Sequence, residues 1–262
     1  MSAGDFAPLI EQLDRFAAAG RVATMWWRDD DAADASPALD RLLALGEAQG
    51  VPLALATVPA QASEALGRRL QTVGPGVSVL QHGYAHQNHA DAGQKKIELG
   101  AQRPAQMVIG ELATGRLRLE TLFGARALPV LVPPWNRMAP FLVPVLPELG
   151  YRGLSQFGPR ARAMPVSSLL QSNCHIDPID WRGNRGFAGA AASIGAATAH
   201  LALRLAAPAG SAAAEEPTGL MTHHAAHDEP TWDFLERYLA TTAAHPAARW
   251  LPATDVFKLA SA

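Results

Sequence analysis

The feature that most constrains the fold of this chain is a regular alternation of short apolar runs with segments of helical periodicity. Such alternation predicts a parallel sheet with helical crossovers. The predicted strands are residues 22–27, 51–58, 77–81, 129–132, 153–157, 175–179, 220–222 and 250–251. The predicted helices are residues 6–19, 36–50, 60–73, 105–123, 139–149 (interrupted by proline), 188–205 and 231–242. About seven or eight strand–helix units favour a closed or nearly closed (β/α) barrel, formed by residues 1–262 as one domain.

Composition excludes several classes of protein. With 22 Lys and Arg against 24 Asp and Glu, the net charge is −2, which gives no electrostatic footprint for a nucleic acid. Cys174 is the one cysteine of the sequence, so an internal disulfide framework is ruled out. The first residues are acidic where a signal peptide is basic, and the Ala- and Gly-rich residues 186–210 make a poor membrane span. The sequence therefore predicts a cytoplasmic protein without a nucleic-acid or membrane partner and leaves its oligomeric state open.

Polar residues cluster directly after several of the apolar runs. They are the carboxylates Asp29, Asp30 and Asp31, the pair His82 and His86, the segment 135–137, the pair Asp180 and Trp181, and the pair His223 and His224. In parallel α/β folds the carboxyl ends of the strands meet at one rim, where active sites form. We therefore expect these side chains to lie close together.

His82 and His86 are four residues apart, so a helical turn beginning at His82 would project both imidazoles from one face. Two imidazoles and a carboxylate are ligands typical of zinc and related divalent ions. The spacing alone is better explained by a pair of surface histidines on a helix. The carboxylate run and a second histidine cluster, formed by His223, His224 and His227, favour a metal site.

The carboxylate run also has a plain structural explanation, because a solvated acidic turn can cap the next helix. However, adjacent carboxylates at the end of a buried strand repel one another unless a cation or base lies nearby. Two such neighbours can divide the chemistry, since one can bind a metal while the other accepts a proton from water.

Taken in order, these motifs resemble those of the polysaccharide deacetylase superfamily, which includes carbohydrate esterase family four and the chitin and peptidoglycan deacetylases. The shared order is Asp-Asp, His-x-x-x-His, Pro-Pro-aromatic, Asp-Trp and Leu-x-x-His, and it runs from Val22 to the C-terminus. Each motif is weak by itself, whereas the ordered set is fairly specific. The resemblance implies an α/β fold, a distorted (β/α) barrel with about seven parallel strands.

The resemblance also implies roles for the first two motifs. Asp29 would be the general base and Asp30 a metal ligand, together with His82 and His86. Asp31 stands where the family has glycine, so a shift by one position, to Asp30 as base and Asp31 as ligand, stays open.

The later motifs imply the rest of the site. The backbone N–H at Trp135 would help to bind the oxyanion, with Asn136 and Arg137 beside the substrate, and Trp181 would line the acyl pocket. His223 would be the general acid. Val132 occupies the position of the family's arginine, which orients the base, and Arg137, Arg28 and Arg182 are the possible replacements.

These residues together predict a metal-dependent hydrolase that removes an acetyl or other N-acyl group from an N-acetylated sugar or related small amide. The expected cofactor is Zn²⁺, with Co²⁺, Ni²⁺ or Mn²⁺ as alternatives, and the expected partner is a small-molecule or carbohydrate substrate. Two other functions stay open. One is a non-catalytic barrel that keeps its metal and binds carbohydrate, and the other is a hydrolase of non-acetyl amides.

Overall fold

Eight parallel strands form one curled sheet in the computed structural model, which describes residues 3–259. The strand order is β6-β5-β4-β3-β2-β1-β7, and β8 pairs with the first residues of β1. The strands are β1 (Ala23–Ala32), β2 (Leu53–Thr57), β3 (Val77–His82), β4 (Ala127–Val132), β5 (Gly153–Leu154), β6 (Leu170–Gln171), β7 (Thr218–Thr222) and β8 (Ala248–Trp250). The predicted distorted α/β barrel is confirmed.

Helices connect the strands and cover the outside of the sheet. They are α1 (Ala7–Ala18), α2 (Pro37–Gln49), α3 (Glu64–Gln71), α4 (Ala105–Phe123), α5 (Ala190–Ala206), α6 (Glu229–Ala244) and α7 (Ala253–Val256). The start of α2 follows from its sequence, because Ser36 accepts a hydrogen bond from the Leu39 N–H and Pro37 occupies the first turn. Among residues 3–259, no helix combines the length and apolar character that crossing a membrane requires.

Side-chain alternation along β1 divides the core into two regions. Trp27 packs with the helices in the larger cluster outside the sheet, whereas its neighbour Trp26 packs inside the curl. Successive residues of a strand point to opposite faces, so the next residues of β1 follow the same division. This division decides which carboxylate of the 29–31 run can reach the rim.

The two edges of the sheet are bridged by an irregular segment. Cys174 bridges to Phe157, and Ile176 bridges to Leu220 of β7. The predicted strand 175–179 is thus wrong as a regular strand, although its backbone does hydrogen-bond to the edge of β7. The short strand β6 was not predicted, since two paired residues leave no readable hydrophobic period.

Two further predictions of secondary structure differ from the fold. The predicted helix 139–149 is a 3₁₀-helix at Pro140–Val145, because Pro144 lacks the N–H that an α-helix would need there. The strand predicted at 22–27 extends to Ala32, so the three carboxylates belong to β1 itself.

Candidate active site

The end of β1 assigns its three carboxylates to different surroundings. Asp30 shares the inner face with Trp26 and Arg28, whereas Asp29 shares the outer face with Trp27. At Asp31 the pairing with β2 is irregular, because Asp30 lies opposite Ala56 and Ala32 opposite Thr57. Asp31 is the extra residue of this β-bulge, and its φ of 70° is left-handed. The bulge turns the Asp31 carboxylate towards the end of β3.

Asp31, His82 and His86 form a compact group at the rim, called here the rim group. Asp31 Oδ1 lies 3.2 Å from His82 Nε2 and 3.3 Å from His86 Nε2. His82 Nδ1 lies 3.0 Å from the Val132 carbonyl oxygen, which can only accept, so Nδ1 carries the proton and Nε2 keeps a lone pair. A lone pair this close to a carboxylate oxygen calls for a proton or a metal ion between them. The three residues therefore fit a divalent metal.

The second histidine of this group lies on a loop, so the helical turn considered at residues 82–86 is absent. His86 has a φ of 56°, and the loop is fixed by Glu98, whose carboxylate accepts the N–H groups of Tyr84 and Ala85 at 3.2 and 2.7 Å. Gly83 packs against this carboxylate, and a Cβ there would lie only 2.0 Å from Glu98 Oε2. That contact explains why glycine occupies the position.

Asp30 is held by a buried arginine from its own strand. Arg28 Nε donates to Asp30 Oδ1 at 2.7 Å and Arg28 Nη2 to Oδ2 at 2.9 Å, a two-point pairing with a fixed orientation. The same guanidinium donates to Ser155 Oγ at 2.6 Å and to Asn136 Oδ1 at 2.8 Å. Of the three arginines considered as replacements for the family's arginine, Arg28 is the one that contacts this carboxylate. Val132 is a buried residue of the hydrophobic core.

Asp29 lies in a separate network on the outer face of β1. Its carboxylate contacts His224 Nδ1 at 2.5 Å and accepts the Thr222 hydroxyl at 2.7 Å. Burial raises the pKa of Asp29, but the charge and hydrogen bond of His224 outweigh burial, and the net pKa is lowered. Both carboxylate oxygens are engaged there, and Asp29 does not line the cavity beside the rim group.

His223 faces the rim group from the end of β7. Its ring lies edge-on to Trp181, with centroids 4.7 Å apart, and both residues line the same cavity. The indole N–H of Trp181 donates to Asp177 Oδ2 at 2.8 Å. Burial raises the pKa of Asp177, against the opposing positive charge of His223. Asp177 lines the cavity, and the sequence analysis missed it. The available signal was its position four residues before Trp181.

The segment after β4 supplies the opposite wall. Trp135 and Asn136 have φ values of 55° and 56°, which side-chain-bearing residues rarely adopt and which are frequent at functional sites. The Trp135 ring lies 4.4 Å from the His86 ring between centroids. Asn136 contacts Arg28, and Arg137 donates to the Lys96 carbonyl at 3.0 Å.

These side chains enclose one cavity of about 450 Å³. Its lining residues are Asp30, Asp31, His82, His86, Lys96, Trp135, Asn136, Arg137, Asp177, Trp181, Arg185, Met221 and His223. Of the residues that the sequence singled out for a role, Asp30, His82, His86, Trp135, Asn136, Arg137, Trp181 and His223 meet here, and Asp29 does not. The volume suits a small ligand.

A second set of two histidines and a carboxylate lies away from this cavity, and we call it the buried group. It consists of His175, His200 and Glu216, all of which are buried. Glu216 Oε2 lies 3.5 Å from His175 Nε2 and 3.8 Å from His200 Nε2. Its residue types match those of the rim group, so its ability to bind metal must be judged from its hydrogen bonds.

Comparison with known proteins identifies the fold. No protein-family model and no curated protein matches this sequence. Among solved structures, a protein named as a polysaccharide deacetylase from Mycobacterium smegmatis is 15% identical, with 90% of each chain covered and a TM-score of 0.64. One named in the same way from Pseudomonas aeruginosa PAO1 is 15% identical, over 91% of this chain and 90% of that one, with a TM-score of 0.62. Puue allantoinase is 14% identical, over 91% and 89%, with a TM-score of 0.62. The resemblance to the polysaccharide deacetylase superfamily is thus confirmed for the fold.

Proposed function

We propose that this protein is a metal-dependent hydrolase that removes an acetyl or other acyl group from the nitrogen of a small substrate, with an N-acetylated sugar as the first candidate. One observation carries the proposal. The ligand set Asp31, His82 and His86 shares a cavity with an arginine-paired carboxylate, Asp30, and with a histidine on the facing wall, His223. Ligands, a base and an acid are the groups that amide hydrolysis needs.

The metal ligands in this proposal are Asp31, His82 and His86, which corresponds to the shifted position that the sequence left open. Two imidazole nitrogens and one carboxylate oxygen suit Zn²⁺, and Co²⁺, Ni²⁺ or Mn²⁺ could take its place. A divalent ion held by these residues would lower the pKa of a water molecule and polarise the acyl carbonyl.

Asp30 is the general base in this proposal, in place of Asp29. Arg28 binds both oxygens of Asp30 and so fixes the direction from which the carboxylate can accept a proton from the attacking water. Asp29 is unsuited to this role, because it lies on the outer face of the sheet beside His224 and does not line the cavity.

His223 is the general acid, as the sequence predicted. It lies on the wall facing the rim group and would give its proton to the departing amine nitrogen. Asp177 lies near His223 in the same cavity and fixes Trp181 by accepting its indole N–H. Trp181 then forms the side of the pocket that receives the acyl group, and Trp135 with Asn136 forms the other side.

The three adjacent carboxylates test this assignment. We expect Asp30→Asn to keep the metal and lose hydrolysis, and Asp31→Asn to lose both. Asp29→Asn should keep both and lower only the stability of the fold. The measurements are metal content by elemental analysis and product release from a panel of N-acetyl sugars, N-acyl amines and cyclic amides.

The results can also favour other functions. Hydrolysis of cyclic amides alone would favour an allantoinase-type activity. One of the structurally similar proteins is named as an allantoinase. Binding of N-acetyl sugars without any product would favour a non-catalytic binding protein. Loss of metal in Asp30→Asn with full metal in Asp31→Asn would contradict the proposed positions. The cytoplasmic location and the role in carbohydrate metabolism stay predictions.

A further inference from the structure

Three basic side chains line the cavity from three different loops. Lys96 lies in the loop between β3 and α4, Arg137 follows β4, and Arg185 lies in the loop before α5. Lys96 and Arg185 are exposed, and Arg137 is half-buried. Their number is notable because the sequence as a whole carries a net charge of −2. The positive charge at this mouth is therefore local.

These cations have no carboxylate partner among residues 3–259. Arg137 donates to the Lys96 backbone carbonyl, and the Lys96 ammonium lies 5.8 Å from the centre of the Trp135 ring. The side chain of Arg185 has no hydrogen bond or ion pair within the part of the chain that the structure describes. Other arginines pair with acids, as Arg41 does with Glu229 at 2.7 Å.

The acidic side chains of the cavity offset only part of this positive charge. Asp30 is paired with Arg28, and Asp31 contacts the two histidines of the rim group. Asp177 accepts only the uncharged indole N–H of Trp181, so its single negative charge stands against the three cations of the mouth. The unmatched charge at the mouth is thus positive, which favours a ligand that carries negative charge away from its reacting bond.

The chemistry of the two arginines restricts the chemical class of the ligand further. A guanidinium binds carboxylate and phosphate oxygens through paired N–H groups, and indole faces cover the apolar part of a ligand. We propose that the substrate is an N-acyl compound bearing an anionic group, a carboxylate or a phosphate, which Arg137 and Arg185 bind at the mouth of the cavity. This inference rests on the proposed function for the position of the acyl group.

Binding of matched probes tests this inference. The probes are neutral N-acetylglucosamine, N-acetylglucosamine 6-phosphate and N-acetylmuramic acid, which carries a carboxylate. Calorimetric titration uses metal-containing Asp30→Asn protein, in which the probes should stay intact. At least one anionic probe should bind about tenfold more tightly than the neutral sugar, since hydrogen bonds to charged groups are the stronger ones. Which of the two binds more tightly then distinguishes a phosphate from a carboxylate ligand.

Variants identify the residues responsible. Arg137→Gln and Arg185→Gln, added singly to this background, should each weaken binding of the anionic probe about tenfold and leave the neutral sugar unchanged. Arg182→Gln is the matched control, because Arg182 lies in the same loop as Arg185 and does not line the cavity. Its affinities should equal those of the parent.

The outcomes separate this inference from the proposed function. Equal affinity for neutral and anionic probes, no binding of either anionic probe, or equal losses with Arg182→Gln would overturn the anion site. Hydrolysis of neutral amides by the wild type would leave the proposed function standing in those cases. An anion preference that depends on Arg137 and Arg185, with no product from any probe, would uphold the anion site and overturn the hydrolase.

Discussion

The rim group and the buried group have the same composition and nearly the same spacing, yet their hydrogen bonds differ. Each contains two histidines and one carboxylate whose nearest nitrogen and oxygen atoms lie within 4.8 Å of one another. The rim group opens to a cavity, whereas the buried group is sealed between β7, α5 and the segment around His175. The position of the protons on the imidazoles distinguishes the two.

In the rim group a backbone carbonyl accepts a hydrogen bond from a histidine. The Val132 carbonyl takes the Nδ1 proton of His82, so the lone pair of Nε2 points to Asp31. A metal-binding histidine is normally held in this way, by donating its second N–H to a carbonyl or carboxylate. The His82 and His86 rings are 5.1 Å apart and tilted by 42°, so their nitrogens can converge on one point.

In the buried group a backbone N–H donates a hydrogen bond to a histidine. The Gly219 N–H donates to His175 Nδ1 at 3.0 Å, so the proton of this imidazole lies on Nε2 and points to Glu216. For His200, Nδ1 lies 3.0 Å from the Thr218 hydroxyl, which accepts from Arg204 and can donate its own proton to the ring. The two rings are stacked 3.3 Å apart at 15°, so their nitrogens lie side by side.

The buried group is therefore better described as a carboxylate held by backbone N–H groups than as a metal site, while the Nε2 atoms of His175 and His200 face Glu216 without a hydrogen bond. Glu216 accepts the backbone N–H groups of Arg160 and Asn173, each at 2.9 Å. Burial raises the pKa of Glu216, but these donors and the two histidines outweigh burial and lower it to about 2. The comparison teaches that residue type and spacing define a candidate metal site, and the partner of the second ring nitrogen decides it.

Metal content should show the largest difference between the groups. His86→Ala should lose nearly all bound metal and all hydrolysis, because two ligands remain where three are needed. His200→Gln should keep the metal content of the wild type. Elemental analysis of both proteins after removal of free metal measures this, and the wild type should contain one ion per chain.

The control for this prediction is His89→Ala, which removes a histidine from the loop of His86 that belongs to neither group. Its metal content should not change. Two ions per wild-type chain, with one lost in His200→Gln, would show that the buried group binds metal and that the hydrogen-bond criterion fails.

Loss of the proposed acid should have a smaller effect that leaves the rim group intact. His223→Ala should keep its metal and its affinity for substrate, while kcat falls by roughly a hundredfold to ten-thousandfold, the usual contribution of a positioned acid. Steady-state kinetics with metal analysis of the same sample measures both. His224→Gln is the control, since His224 contacts Asp29 on the outer face. An unchanged kcat in His223→Ala would show that another group supplies the proton.

Much of the fold could be predicted from the sequence because its signals are periodic and local. The helices and the longer strands carry hydrophobic patterns, and Ser36 with Pro37 marks the start of α2. The strand β6 and the segment 174–176 are set by pairing with distant residues, and such pairing leaves little pattern in a short stretch. The histidine and tryptophan positions of the cavity followed from motifs at strand ends.

Which carboxylate of the run contacts the two histidines of the rim group could not be predicted in the same way. A strand that ended at Trp27 would free all three carboxylates to turn towards the rim, whereas β1 continues to Ala32 and fixes Asp29 on the outer face. The bulge at Asp31 depends on pairing with β2, which is a tertiary feature. Arg28 stands two residues before Asp30 on the same face, and this alternation was the available signal for their pairing.

Stability in acid should show the smallest difference, and it tests the buried group directly. Burial lowers the pKa of His200 from 6.5 to about 4 in the folded protein. Between pH 6.5 and 4, this histidine is protonated in the unfolded chain and neutral in the folded protein. The free energy of unfolding therefore falls as pH falls towards 4. Glu216, with its pKa lowered to about 2, extends this loss further into acid, below pH 4.5.

His200→Gln should remove the contribution of His200 to this slope. Between pH 6.5 and 4 its free energy of unfolding should vary with pH less steeply than that of the wild type, by at most about 1.4 kcal/mol per pH unit, the value for one proton. Above pH 7 the variant should be less stable by roughly 1–3 kcal/mol, because the buried Thr218 hydroxyl loses the ring nitrogen of His200 as its hydrogen-bond partner. Urea unfolding of both proteins across this pH range provides the measurement, with His89→Gln as the control that should keep the wild-type slope. A slope in His200→Gln as steep as that of the wild type would mean that His200 is not held neutral by burial, and the buried group would then have to be reconsidered as a site for a cation.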